Sequence, residues 1–310
     1  MESLIGIVGL ALLVVVYLRK YLLRKESPKQ QAMPLDGELY AVGQACIARR
    51  ASSNPQSTVV VMPGLVENFL YFTEYYSDPS IELIMLTSAD YHVPVSPLKM
   101  QSPSWAVKPS ARPGTIAYDA TVLNLALEHL VSTEHVRVHG HSRGGAVILE
   151  AARQQPVLFD AAEVILEAPV LPQGKPYAEM PGWARWFLPF LLPLWQQQPI
   201  SERNRATWGP LDNPRKRELI MAYPFNAKRA GTMMTNIQDI EQWMKETGTD
   251  IYRHVRRGAI LVPGDDHVLQ SKAMLASARQ AENLQVIQIE NGSHFVIADN
   301  PDSIPPLARL

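Results

Sequence analysis

The sequence predicts an α/β domain with a mostly parallel sheet covered by helices. Three observations carry this. Short apolar runs bounded by turn residues alternate with helix-spaced segments through most of the chain. One of these runs leads through a glycine-flanked serine straight into a helical segment. A long stretch without a clear strand interrupts the alternation once, after which it resumes. The bulk properties agree: 310 residues, 46% hydrophobic and 19% charged, suffice for one large domain with a sizeable core.

The first element is the uncharged run Leu4 to Leu18, LIGIVGLALLVVVYL. As a helix it is about 22 Å long, short of a hydrocarbon core of about 30 Å. Arg19 and Lys20 can snorkel, and Tyr21, Leu22 and Leu23 extend the apolar length. A single membrane anchor is the expectation. A cleaved signal peptide fits less well, because Glu2 precedes the run and basic residues follow it. A buried core helix fits less well too, because the run is apolar all round. Arg19, Lys20, Arg24, Lys25 and Lys29 follow the span, so the positive-inside rule favours a cytoplasmic body, with an extracytoplasmic one as the alternative. The expected organisation is an anchor at 1–25, a polar linker at 26–36 and one domain at 37–310.

Thr58 to Met62 (TVVVM) reads as a buried strand ending at Pro63-Gly64, and Ile81 to Leu86 as another. Thr115 to Leu130 has helical spacing. Val136 to His139 reads as a strand and Gly145 to Arg153 as a helix. Ala162 to Leu166, Ala259 to Val262 and Leu284 to Ile289 read as further strands. Between Val170 and Gly258 no strand stands out. Helical stretches around Lys216 to Ala222 and Thr232 to Lys245 make this a helical cap at about 171–250. Its run PGWARWFLPFLLPLW holds Trp183, Trp186, Phe187, Phe190, Leu191, Leu192, Leu194 and Trp195. Pro189 and Pro193 are expected to break any long helix there. Cys46, the one cysteine, sits in the strand-like run QACIARR and is expected to be a small buried residue.

The chemistry concentrates at Gly140, His141, Ser142, Arg143, Gly144, between the strand VRVH and a helical run. A nucleophile on a sharp strand-to-helix turn needs small residues two positions away, which Gly140 and Gly144 supply. The following helix turns its N-terminal dipole and free N–H groups toward a developing oxyanion. From about Thr58 onward the chain resembles the α/β-hydrolase superfamily. The resemblance also covers GAILVPGDDHVL, like the family's acid loop, and NGSHFVIADNP, like its histidine loop. It implies a triad of Ser142, Asp266 and His294 in that chain order. Asp265 and Glu167 remain alternative acids. It also implies an oxyanion hole from the backbone N–H groups of Leu65 and Arg143, although Pro63 stands where the family commonly has His. His141 is expected to be a packing residue.

Several classes are disfavoured. The formal net charge of -1 offers no field for nucleic acid. The histidines lack metal-ligand spacing, and there is no Walker A run or dinucleotide fingerprint. No metal or cofactor is expected. The triplets Arg215-Lys216-Arg217 and Arg253/Arg256/Arg257 read as solvated faces, with anionic lipid contact as a minor alternative. The apolar cap over an anchored body implies an acyl-ester or lipid substrate, with Trp183, Trp186, Phe187, Phe190 and Leu191 as its contacts or as a surface entering the lipid interface. The expected activity is a carboxylic-ester hydrolase of lipase or phospholipase character. Acyl transfer through the same acyl-enzyme and a non-catalytic binding protein are the alternatives. The bilayer is an expected partner, and a second copy of the chain an optional one.

Overall fold

The computed structural model describes residues 2–24, 32–96, 99–221 and 227–307. Positions 26–31 of the expected linker, and Ala222, lie outside them. The chain opens with helix α1 (Glu2–Arg24), then strands β1 (Met33–Pro34), β2 (Glu38–Val42), β3 (Ala45–Arg50) and β4 (Ser57–Met62). A 3-10 turn (Phe69–Phe72) precedes β5 (Ile81–Leu86), and β6 (Val95–Ser96) and β7 (Met100–Gln101) follow. Next come α2 (Ile116–Leu130), β8 (Val136–His141), α3 (Arg143–Gln154) and β9 (Glu163–Glu167). The cap holds α4 (Gly182–Gln197), α5 (Arg205–Trp208), α6 (Pro214–Met221) and α7 (Ala227–Glu246). The domain closes with β10 (Arg257–Pro263), α8 (Ser271–Ala278), β11 (Gln285–Ile289) and α9 (Val296–Asp299).

The main sheet has the order β11-β10-β9-β8-β4-β5-β3-β2-β7. Its centre, from β11 to β5, is parallel, while β3 runs antiparallel to both β5 and β2. The strand-like run QACIARR is β3, and its hairpin partner β2 is the main sheet feature the apolar pattern leaves unannounced. β4 and β5 are buried at every position, which explains their mostly apolar runs; the buried Glu82 of β5 is paired with Arg49. Side chains alternate between two cores. Val60, Met62, Ile84, Val138 and Leu166 pack under α2 and α3. Val59, Val61, Leu83, Met85 and Ile165 pack on the other face with Phe69, Phe72 and Val296. Cys46 is buried in β3, and burial pushes its thiol up to about 12.

The chain passes from β4 to β5 on one side, then returns to place β8 on the other. That reversal is a topological switch point at the carboxyl ends of β4 and β8, the place where doubly wound sheets bind ligands.

The cap corrects one expectation. α4 runs unbroken through Pro189 and Pro193. The two prolines lie four residues apart, so their missing N–H groups fall on one line of the helix. Leu188 and Leu192 on the adjacent line are both buried in the core, and this packing holds the helix despite the lost bonds. Lys216 is a second correction. It is buried, and its Nζ donates to Asp299 Oδ2 at 2.6 Å and to the Pro210 carbonyl at 2.9 Å. Neighbouring Arg215 stays outside and pairs with Glu218, because successive helical positions face different directions.

From Leu4 to Leu18 the apolar side chains of α1 are exposed, except for the half-buried Val15. The helix is long and apolar enough to cross a membrane. Its carboxyl end packs on α4 and α7: Arg19 Nε donates to the Trp186 carbonyl at 3.0 Å, and the guanidinium lies 5.1 Å from the Trp186 ring.

Candidate active site

Ser142 sits between β8 and α3 at φ 53°, ψ −118°. A non-glycine residue in this region is strained, and the surroundings must hold it there. They do so by backbone bonds. Ser142 N–H donates to the Glu167 carbonyl at 2.8 Å, and its own carbonyl accepts from Gly145 N at 3.0 Å and Val170 N at 2.9 Å. A Cβ on Gly144 would collide with the Met62 carbonyl, and one on Gly140 would meet the Gly144 backbone. The two glycines are therefore the only residues that let strand and helix approach so closely.

The side chain of Arg143 points toward α2. It is fully buried, with Nη1 donating to Asp119 Oδ2 at 2.6 Å and Ser88 Oγ at 3.1 Å. It braces the turn against α2. Its backbone N–H opens α3 and so has no acceptor within the helix.

The acid and histidine loops follow β10 and β11. His294 Nδ1 donates to Asp266 Oδ2 at 2.7 Å, and both side chains are buried. Asp266 Oδ1 accepts from the N–H groups of Val268 at 2.7 Å and Leu269 at 2.9 Å. Burial alone would raise this carboxyl. The facing imidazole and the two backbone donors outweigh it and hold the group below the usual carboxylate range. Asp265 is mostly exposed and pairs with His267 at 3.1 Å. Asp266 is thus the aspartate that meets His294.

Glu167 does not reach the His294 ring. Its carboxylate accepts from Tyr71 Oη at 2.6 Å and from Ile297 N at 2.7 Å, and it meets His139 Nε2 at 3.1 Å. Burial works against its charge, but His141 and His139 outweigh that and lower its pKa. His139 completes its bonding through Nδ1 to Tyr76 Oη at 2.7 Å, and burial lowers its pKa.

The turn after β4 supplies the other wall. Gly64 N–H donates to Glu67 Oε2 at 2.7 Å, and Val66 N–H to Tyr91 Oη at 3.0 Å. Glu67 N–H reaches back to the Gly64 carbonyl at 3.4 Å. Among the described residues, this leaves Leu65 as the turn's N–H without an acceptor. A Cβ on Gly64 would stand 3.0 Å from Ser142 Cβ, so the turn and Ser142 are in direct contact. Val66, at φ 53°, carries the strain of the tight path.

His141 is more than a packing residue, which corrects the expectation. Its Nδ1 meets Glu67 Oε2 at 2.7 Å and its Nε2 meets the His294 carbonyl at 2.9 Å. Sequence reasoning passed over Glu67 because no local pattern shows that it faces a histidine 74 positions away.

The cap residues divide. Trp183, Phe187 and Leu191 face outward, Trp186 and Phe190 are half-buried, and Leu188 and Leu192 point inward. Among the described residues, no group of three or more His, Cys, Asp or Glu could hold a metal.

No curated protein matches this chain. Solved structures match in fold at low identity. An N-formylmaleamic acid deformylase of Pseudomonas putida S16 is 14% identical, with 86% of this chain and 98% of that one covered at a TM-score of 0.59. An esterase of Exiguobacterium antarcticum is 13% identical over 86% and 95% of the two chains, also at 0.59. A lipase-esterase related protein of Clostridium acetobutylicum is 15% identical over 84% and 96%, at 0.55. The profile described as "Alpha/beta hydrolase family" matches residues 77–304, spanning the serine turn, the acid loop and the histidine loop. On that match, over well more than half of its length, the chain belongs to the alpha/beta hydrolase family.

Proposed function

We propose that this chain is a membrane-tethered serine hydrolase that cleaves carboxylic esters, with acyl esters of lipids as the substrate class. The observation that carries the catalytic part is the buried Asp266–His294 bond beside the strained Ser142 turn. Ser142 Oγ attacks the ester carbonyl carbon while His294 Nε2 takes its proton. The carbonyl oxygen becomes an oxyanion held by the N–H groups of Leu65 and Arg143. Collapse breaks the bond to the alcohol, which leaves with the proton from His294. Water then attacks the acyl-serine by the same route and releases the acid. Asp266 fixes the imidazole with its Nδ1 protonated and stabilises the imidazolium.

The lipid part rests on α1 and α4. Trp183, Phe187, Leu191 and Leu194 form an exposed apolar row at helical spacing, with Trp183 70% and Leu194 61% exposed. Arg19, the first charged residue after the uncharged run of α1, touches Trp186 of α4. A bilayer that holds α1 would therefore meet the cap at headgroup level, where tryptophan and arginine are favoured. The positive charges after the span support a cytoplasmic body.

The test is labelling by a fluorophosphonate probe, followed by hydrolysis of esters of rising acyl length. Wild-type chain should label and Ser142→Ala should not, with roughly a 10³-fold or greater loss of turnover. An unlabelled wild type beside a reactive control hydrolase overturns the enzyme reading. Preference for acetyl over longer chains overturns the lipid reading. Acyl transfer would appear as ester or amide product when an alcohol or amine is supplied.

A further inference from the structure

We infer that Glu67 and His141 form a charged positioning pair that locks the oxyanion turn to the loop carrying the catalytic histidine. A carbonyl oxygen only accepts, so His141 Nε2 must carry a hydrogen to bond the His294 carbonyl at 2.9 Å. On the other side of the ring, Nδ1 stands 2.7 Å from Glu67 Oε2. That oxygen already accepts from Gly64 N–H at 2.7 Å. An ionised carboxylate oxygen can take both donors, so the inferred charged state places a hydrogen on Nδ1 as well and makes the ring an imidazolium.

The pair spans three pieces of the site. Glu67 holds Gly64, and thereby the Leu65 N–H beside it. His141 directly precedes Ser142. The His294 carbonyl fixes the backbone of the proton acceptor. Other groups around His141 fit a cation there. Glu167 lies across from it at the end of β9, and Tyr71 stacks on it with ring centroids 4.8 Å apart. His139 precedes it on β8, and the ring of His294 has its centroid 4.8 Å away. Phe295 closes the remaining side at 5.6 Å. Burial opposes the charge, but Glu67 and Glu167 outweigh it and raise the imidazolium to about 9. Pairing with Glu67 also neutralises that charge locally. The ring of His294 can then become cationic during the reaction beside a neutral pair rather than a lone cation.

The pair must fail when Nδ1 loses its hydrogen. Two lone-pair atoms would then face each other at hydrogen-bond distance, and the Gly64–Glu67 turn has to move. The experiment is the pH dependence of turnover by the full chain in detergent micelles, with a fluorogenic butyrate ester, for wild type, Glu67→Gln and Glu67→Asp. It rests on the esterase reading above. Wild-type kcat should fall with a midpoint near pH 9. Glu67→Gln keeps the shape but removes the charge, so its midpoint should move down by at least one pH unit. At pH 7 its kcat should be about tenfold lower with KM within about twofold. Glu67→Asp should return part of both. An unmoved alkaline midpoint in Glu67→Gln, or an effect on KM alone, overturns the proposal.

A second measurement needs no variant that must fold and no activity. ¹⁵N NMR of the wild-type histidine rings at pH 7 should find one ring, His141, with both nitrogens bearing hydrogen and titrating near pH 9. If every ring has one unprotonated nitrogen at pH 7, the pair is not charged and the proposal falls. A wild type that hydrolyses no ester while the NMR signature is present defeats the esterase reading alone.

Discussion

Two histidine–carboxylate pairs lie side by side in this molecule, and they are built for opposite tasks. Asp266–His294 and Glu67–His141 have the same 2.7 Å contact, and all four side chains are buried. The difference is at the second ring nitrogen. In His141 it is bound to a carbonyl. In His294, among the described residues, only Nδ1 is engaged. One ring is held at both ends and keeps its protons. The other is held at one end and can exchange a proton at the other. A shared contact distance says little about role; the count of acceptors around each ring says more.

The most severe way to break this comparison is Asp266→Asn. It preserves shape but favours the wrong imidazole tautomer, so kcat should fall roughly 10³- to 10⁴-fold. Asp265→Asn should stay within about twofold, because that side chain is exposed and faces His267. Steady-state kinetics on both variants checks the assignment. If they fall equally, the loop is read wrongly.

A middle-sized effect concerns stability. The folded imidazolium of His141 titrates near 9, above its ordinary value of 6.5. A raised histidine contributes stability that is fully present below about pH 6.5 and is lost as pH rises through about 9. Thermal unfolding of wild type should thus weaken between about pH 7 and 9.5, and Glu67→Gln should flatten that slope. Equal slopes in both proteins would detach His141 from the effect.

The smallest effect sharpens the comparison by leaving both pairs alone. Replacing Trp183, Phe187 and Leu191 by Ser alters only the outward row of α4. Turnover of a soluble butyrate ester should stay within about twofold. Activity on esters dispersed in phospholipid vesicles should drop about five- to tenfold, in line with lost apolar contact at an interface. Loss of soluble-ester activity instead would make these residues pocket walls.

Much of the fold was legible because its signals are local. The expected strand at Ile81 to Leu86 matches the observed one residue for residue, and the helix expected from Thr115 begins one residue later with Thr115 as its cap. The buried parallel strands announce themselves as short, mostly apolar runs. The β2–β3 hairpin was less visible, since β2 is short and only partly buried along its length. The path of α4 through two prolines was also not legible. Propensity forbids it, and only the inward packing of Leu188 and Leu192 permits it.

The strand–serine–helix turn and the apolar character of α1 were set by the sequence alone. Each depends on residues adjacent in the chain or on a simple period. The tertiary structure alone put Asp266 rather than Asp265 against the His294 ring, kept Glu167 from that ring, and gave His141 a carboxylate partner. Those outcomes depend on which atoms face each other across loops far apart in the chain. A buried polar group must find its partner wherever the fold brings one.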